Sequence, residues 1–362
     1  MTGRGTSTAW IVYAVAAGVM AALALLAWAQ ALLLGGPVLY GEGAVAHAAI
    51  LTRTLATYVD PGGSAFTAAN YPPGYFLLAS VGDPFVTGRI VSIGATLATA
   101  GLIAWRARAG GRRFAAALGL GWLAFAPVAI WGPAVKPDLV ALALTVGAVV
   151  VLERRRPGLA AALLVLAVLT KPTAAVPLLA LLVWIAWRDR ALLRSFARGG
   201  AIAIAVAALA LLPFGYEGLF RHVITWNALP WSAQSAALLA FLAVVIYAAA
   251  VGVGLTARAF SGPIAAYAVG AVVVVVLGGR EGATINYLLD LGAALSLALA
   301  SAAPRLVRAP LYPIVAIANL VLAALLIDPL GVVPGRAATT GAWGDPSRLV
   351  SAEVVLAGDE LV

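Results

Sequence analysis

Only two lysines occur in the chain, against 21 arginines, and both precede proline, in Lys136-Pro137-Asp138 and Lys171-Pro172. Proline favours the first position of a helix, so each lysine is expected at a helix mouth, where unpaired N–H groups and the positive end of the dipole already attract an anion. Arg89 and Arg280 are expected in similar places. A cation at a helix start describes a site for phosphate or another anion. The plainer reading of Asp138 is that it starts its helix and neutralises Lys136. Glu42, between two glycines in Tyr40-Gly41-Glu42-Gly43, is the carboxylate best placed to accompany these cations. A carboxylate that takes a proton from a hydroxyl, and fixed cations that receive the charge of a departing phosphate, are the two halves of a group transfer.

These residues must be held by helices that cross a bilayer. The chain is 63% hydrophobic and 10% charged, with a mean hydropathy of +1.03, whereas soluble domains carry roughly 25% charged residues. Apolar runs of spanning length recur at 9–35, 88–105, 114–132, 138–152, 158–170, 172–187, 200–214, 233–254, 262–277, 286–303 and 310–327. The expected fold class is therefore all-α, a polytopic membrane bundle of about 11 segments. Arg4, the loops around Arg106–Arg113, Arg154–Arg156 and Arg188–Arg198, and Arg258, Arg305 and Arg308 hold 15 of the 23 basic residues, accompanied only by Glu153 and Asp189. The positive-inside rule makes that face cytoplasmic, with the N-terminus inside and the C-terminus outside. The other twelve of the 14 carboxylates, Glu42, Asp138 and Asp290 among them, then lie on the outer face. The first apolar run is too long for a signal peptide and is read as a retained span.

Residues 157–187 would make one comfortable span, but that would put the second and third arginine clusters on opposite faces. A helical hairpin repairs the conflict. Its arms, about 15 residues or roughly 22 Å each, are shorter than the hydrocarbon core, so the tip Thr170-Lys171-Pro172-Thr173 must sit below the outer surface. A charge at that depth needs a partner or a function, unless Lys171 snorkels. The first outer loop, residues 36–87, is the longest in the membrane domain, and loops of this length are usually functional. Val45, Ala49, Leu51 and Leu55 predict a short surface helix beginning at Glu42, while Tyr71 and Tyr75 suit an interfacial aromatic position.

Tyr40-Gly-Glu42-Gly after the first span, Tyr71-Pro-Pro-Gly-Tyr75 before the second, Lys136-Pro-Asp138, Leu169-Thr-Lys171 and Gly279-Arg-Glu-Gly-Ala-Thr-Ile-Asn286-Tyr287 occur in that order. Together they resemble the GT-C membrane glycosyltransferases, in the bacterial branch related to protein O-mannosyltransferases and the lipid A aminoarabinose transferase. The resemblance covers about residues 10 to 327. It implies an inverting transferase that moves a sugar from a polyprenyl-phosphate carrier to a lipid, glycan or protein acceptor outside the bacterial plasma membrane. It further implies Glu42 as the catalytic carboxylate, with Asp60 the second acid of the loop. Lys136, Lys171, Arg280 and Arg89, with Asp138, Tyr71, Asn286 and Tyr287, would hold the donor phosphate or sugar. Many relatives have adjacent acids in the first loop, whereas Glu42 stands alone and Asp60 lies in an Asp-Pro-Gly-Gly turn.

No metal motif is apparent. Mg²⁺ or Mn²⁺ could sit on Glu42 and Asp60, but no cofactor is required by the spacing. No nucleic-acid partner is expected. The domain reading is a membrane transferase domain over 1–330 and an extracytoplasmic tail over 331–362, expected to be the start of an outer domain. The alternative is a polyprenyl-phosphate transporter, flippase or noncatalytic binding protein. A transporter would place polar residues near the midplane and repeat internally, while a binding protein would want the same cations without Glu42.

Overall fold

A computed structural model describes residues 5–59, 69–306 and 311–327. These fold as sixteen helices: α1 Gly5–Leu32, α2 Glu42–Thr52, α3 Pro73–Ala79, α4 Pro84–Ala107, α5 Arg112–Leu123, α6 Ala126–Trp131, α7 Asp138–Glu153, α8 Pro157–Val168, α9 Ala175–Arg188, α10 Arg190–Leu211, α11 Tyr216–Phe220, α12 Ala233–Thr256, α13 Gly262–Leu277, α14 Leu289–Ser301, α15 Ala303–Leu306 and α16 Leu311–Ile327. Among the described residues the one β-type pairing is an isolated bridge between Trp231 and Arg280. Asp60 and the tail 331–362 lie outside the described residues.

The solvent for most of this surface is lipid. Val15, Val19 and Leu26 on α1 and Leu238, Phe241 and Val244 on α12 are 56% to 64% exposed, a cost no water-soluble protein sustains on so many neighbouring positions. The stretches Thr8–Leu32, Pro84–Gly110, Arg190–Phe214 and Ala233–Thr256 are long and apolar enough to cross a membrane, and shorter apolar helices pack among them. The chain is therefore a membrane-embedded helical bundle. Its interior relies on small residues: the backbone of Gly199 on α10 lies so close to that of Gly158 on α8 that a Cβ would collide. Without a hydrophobic drive between helices in lipid, such approach is what supplies the packing attraction.

Two ends of the bundle can be told apart. Arg155, before α8, pairs with Asp189, after α9, at 3.3 Å, so both ends of residues 157–187 lie together and the stretch folds back as a hairpin. Arg106 pairs with Glu153 at 2.9 Å at the same end. At the opposite end the hairpin tip meets the start of α7.

Three expectations are corrected. The run 114–132 is broken into α5 and α6 at Ala124-Phe125, because Pro127 in the first turn of α6 cannot donate to a continuing ladder. Arg190, Arg194 and Arg198 do not sit in a loop; they occupy one stripe, four residues apart, on the first turns of α10, where Leu192 and Phe196 pack inward. Tyr75 is not interfacial. Its ring is fully buried and its hydroxyl donates to Gly88 O at 2.9 Å and lies 3.1 Å from Ser92 Oγ.

Candidate functional site

The site is assembled where a second, smaller apolar cluster meets the end of the bundle. Val45, Ala49, Tyr75, Phe76, Phe85 and Val135 bury against one another and clamp the first loop onto α4. Within that loop the Tyr-Pro-Pro-Gly-Tyr motif has a mechanical role. Gly74 N–H donates to Leu169 O at 2.9 Å, and a Cβ at Gly74 would come within 2.6 Å of that oxygen, so glycine lets α3 dock on the hairpin tip. Tyr71, three residues earlier, is thereby brought within electrostatic reach of Asp138, Lys171, Tyr287 and Arg280.

Asp138 is the centre of this cluster. It begins α7, and its Oδ1 accepts from Lys171 Nζ at 2.7 Å and from Asn286 Nδ2 at 2.7 Å. Its Oδ2 is buried and has no partner among the described residues. Lys171 is also almost fully buried, and its ammonium lies 4.9 Å from the centre of the Tyr287 ring. The tip lysine therefore does not snorkel away; it has a carboxylate and an aromatic face as partners. Arg280 is held by Asn227, donating to its backbone O and its Oδ1 at 3.0 Å each, and Asn227 in turn donates to Asn70 O at 3.0 Å. This fixes Arg280 against the strand of loop that carries Tyr71.

Glu42 occupies an adjoining, closed site. As expected it begins α2, but on that surface helix its side chain is completely buried. Its Oε2 accepts from Val38 N–H at 2.7 Å and from Arg89 at 3.3 Å, and its Oε1 accepts from Val135 N–H at 2.8 Å. Arg89 also donates to Leu34 O and Gly36 O and has no exposed surface. Arg89 lies near the start of α4, as expected, and is a clasp that ties the end of α1, the first loop and α4 together.

Lys136 lies between the two carboxylates. Gly41 adopts a left-handed φ of 74°, and a Cβ there would come within 2.7 Å of Lys136 Nζ. The left-handed φ therefore favours glycine before Glu42, and the ammonium lies directly beside it. Among the described residues Lys136 makes no ion pair and stays partly exposed. Burial pushes its ammonium below the ordinary 10.5, against the opposing pull of Asp138 and Glu42 and with the help of Lys171.

The structure thus brings Lys136, Lys171, Arg280, Asp138, Tyr71, Asn286 and Tyr287 together and sets Glu42 and Arg89 beside them. Among the described residues no three of His, Asp and Glu converge as metal ligands. Sequence reasoning missed Asp290 and Tyr267, which bond to each other at 2.9 Å; Asp290 lies within electrostatic reach of Lys171 and Asp138. Its spacing of four residues from Asn286 is the signal that could have found it. It also missed Asn227, for which the sequence carried no signal. An apolar groove of about 930 Å³ runs between α9 and α13, from Val176 and Val273 to Trp187 and Arg188, apart from the polar cluster.

No protein-family model matches the chain, and no curated protein sequence matches it. Among solved structures the chain is similar to ArnT from Cupriavidus metallidurans in the apo state, with 19% identity and a TM-score of 0.58 over 82% of this chain and 60% of that one. It is also similar to ArnT from Cupriavidus metallidurans bound to undecaprenyl phosphate, with 17% identity and a TM-score of 0.56 over the same shares. The chain spans 60% of the length of those ArnT structures. At these identities the likeness is one of fold, and the fold is that of ArnT, a GT-C lipid A aminoarabinose transferase.

Proposed function

We propose that the chain is an inverting glycosyltransferase that moves a sugar from a polyprenyl-phosphate carrier to an acceptor hydroxyl at the outer face of the plasma membrane. The single observation that carries this reading is the convergence of Lys136, Lys171 and Arg280 around Asp138, on a fold that ArnT presents in complex with undecaprenyl phosphate. On this reading the arginine-rich end of the bundle faces the cytoplasm. The donor phosphate sits against the unpaired Lys136 and draws on Lys171 and Arg280. The carrier's polyisoprenoid tail lies in the apolar groove between α9 and α13, whose mouth at Val176 is five residues past Lys171.

In the reaction the acceptor oxygen attacks the anomeric carbon from the face opposite the phosphate. The bond from that carbon to the phosphate oxygen breaks with its electron pair going to phosphate, where fixed cations stabilise the added charge. Glu42 takes the acceptor's proton. An ionised carboxylate offers about four acceptor positions, and Val38, Val135 and Arg89 fill three of them at Glu42. The remaining one is available to a hydroxyl once the first loop shifts to admit it. Tyr71, Asn286 and Tyr287 line the donor, and Asp138 keeps Lys171 charged and in place until phosphate arrives. Asp60 has no role in this reading. Transfer measured with and without chelator tests whether a divalent cation takes part.

A second reading, a noncatalytic polyprenyl-phosphate binding protein, is favoured by the complete burial of Glu42. One comparison separates the two. Sugar transfer from a radiolabelled polyprenyl-phosphate sugar is measured for wild type and Glu42→Gln, alongside lipid binding. Loss of transfer with lipid binding retained supports the transferase; unchanged transfer removes Glu42 from the chemistry.

A further inference from the structure

Asp290 is a carboxylate that the reaction above leaves unused, and its surroundings do not explain it. It lies in the first turn of α14, an ordinary place for an acidic residue, yet its side chain does not cap that helix. Its Oδ1 instead accepts from the hydroxyl of Tyr267, on the neighbouring α13, at 2.9 Å. Tyr267 is completely buried, so its only polar atom is committed to steadying Asp290. Asp290 itself remains partly exposed, makes no ion pair among the described residues, and keeps Oδ2 free. Leu288 and Leu289 beside it are buried apolar residues, so its second oxygen can find a polar partner only on its open side.

Its position says which ligand. Asn286, four residues earlier, donates to Asp138, and both Lys171 and Asp138 lie within electrostatic reach of Asp290. A group bound at Asp290 is therefore next to whatever the three cations hold. Lys136, Lys171 and Arg280 set against Asp138 and Asp290 leave one positive charge, which a monoanionic phosphodiester neutralises. An uncharged sugar keeps that balance, whereas an ammonium on the sugar would leave the desolvated site with an excess positive charge.

We propose that Asp290, steadied by Tyr267, is a specificity-determining residue that accepts a hydrogen bond from a hydroxyl of an uncharged sugar carried on the polyprenyl phosphate. This rests on the transferase reading given above. Tyr267 is a positioning residue, holding the carboxylate at one orientation so that Oδ2 faces the sugar.

The experiment compares the intact protein in lipid nanodiscs with Asp290→Asn and Tyr267→Phe, by binding of three probes: bare undecaprenyl phosphate, undecaprenyl phosphate carrying each of several neutral hexoses, and one carrying an amino sugar. Wild type is expected to bind at least one neutral-hexose lipid more tightly than the bare lipid. Asp290→Asn should reduce that advantage about tenfold, the size of a lost hydrogen bond to a charged group, and leave binding of the bare lipid equal or tighter, since a negative charge beside the cations is removed. Tyr267→Phe should give a smaller loss of the same kind, which keeps the test decisive if Asp290→Asn does not fold. Equal loss for bare and glycosylated lipid, no sugar advantage in wild type, or a preference for the amino sugar that Asp290→Asn abolishes would each overturn the proposal. Failure of wild type to bind even bare undecaprenyl phosphate would instead sink the transferase reading.

Discussion

Glu42 and Asp138 are both buried carboxylates next to a basic residue, at the same end of the bundle and with Lys136 between them, yet they are held in opposite ways. Every bond to Glu42 comes from a group that cannot leave: two backbone N–H groups and an arginine locked onto the carbonyls of Leu34 and Gly36. Asp138 is bonded only by the ends of two side chains, Lys171 and Asn286, and one of its oxygens has no partner. The Glu42 site is a clasp that fixes its carboxylate and leaves one acceptor position over. The Asp138 site is a set of charges that an anion can rearrange, because Lys171 can shift its bond from a carboxylate to a phosphate without unfolding anything. Burial alone therefore does not separate a fixed carboxylate from one whose partners can be rearranged; the kind of partner does.

The sharpest way to break this comparison is to remove one member of the clasp. Arg89→Met leaves Glu42 charged in a closed site, and losing one partner of a buried pair costs about 3–5 kcal/mol. A large drop in melting temperature in detergent is expected, whereas a melt within a degree or two of wild type would show that the clasp is not structural. At the other carboxylate, Lys171→Met should lower affinity for undecaprenyl phosphate about a hundredfold, the weight of about two charge-assisted hydrogen bonds. Its effect on melting should be smaller than that of Arg89→Met, since Lys171 holds Asp138 alone whereas Arg89 also ties down the carbonyls of Leu34 and Gly36; binding by equilibrium titration and a melt on the same sample check both halves.

Lys136 sharpens the contrast because it has no bond to lose. Lys136→Ala should weaken lipid binding about tenfold and leave stability unchanged or raised, since a desolvated ammonium is removed. Its pH dependence has a definite sign. The ammonium is depressed below its ordinary 10.5 in the folded protein, so phosphate binding should fall as pH rises through a value below 10.5. The unfolded chain holds the proton longer, so this residue's contribution to stability rises with pH over that window. Lys136→Arg, which keeps its charge there, should abolish the alkaline fall; a fall that survives in the arginine variant would assign it to another group. The smallest effect is expected at the far end of the bundle, where Arg155→Ala breaks the pair with Asp189. With Arg155 69% exposed, that change should move stability by no more than about 0.5 kcal/mol, and a larger loss would mean that the hairpin is held from below rather than from its tip.

Much of the bundle was legible because lipid makes the rules simple. Long apolar runs must become helices, and the arginine clusters have to share a face, which forces residues 157–187 into a hairpin on charge alone. The breaks were less legible: nothing in the hydropathy of 114–132 separates α5 from α6 except Pro127, which a span can tolerate or not. Tyr75 and the α10 arginines were misplaced for a related reason, since an aromatic or basic residue near a predicted helix end suits both an interface and a packed position. At the site, residue types identified Lys136, Lys171, Arg280 and Asp138, because charges at helix starts stand out in an apolar chain. They could not say that Arg89 turns inward.

The sequence by itself determined that this is a multi-helix membrane protein with its lysines at helix mouths, because a chain so poor in charge can satisfy its backbone in lipid in hardly any other way and must justify each charge it keeps. Only the tertiary structure decided which cation meets which carboxylate. Lys171 reaches Asp138 because the hairpin is short, Arg89 reaches Glu42 because the first loop folds back over α4, and Asp290 finds Tyr267 because α13 and α14 cross at that level. Those pairings join residues from 23 to 47 positions apart, and no local propensity reports a distance that the packing of intervening helices sets.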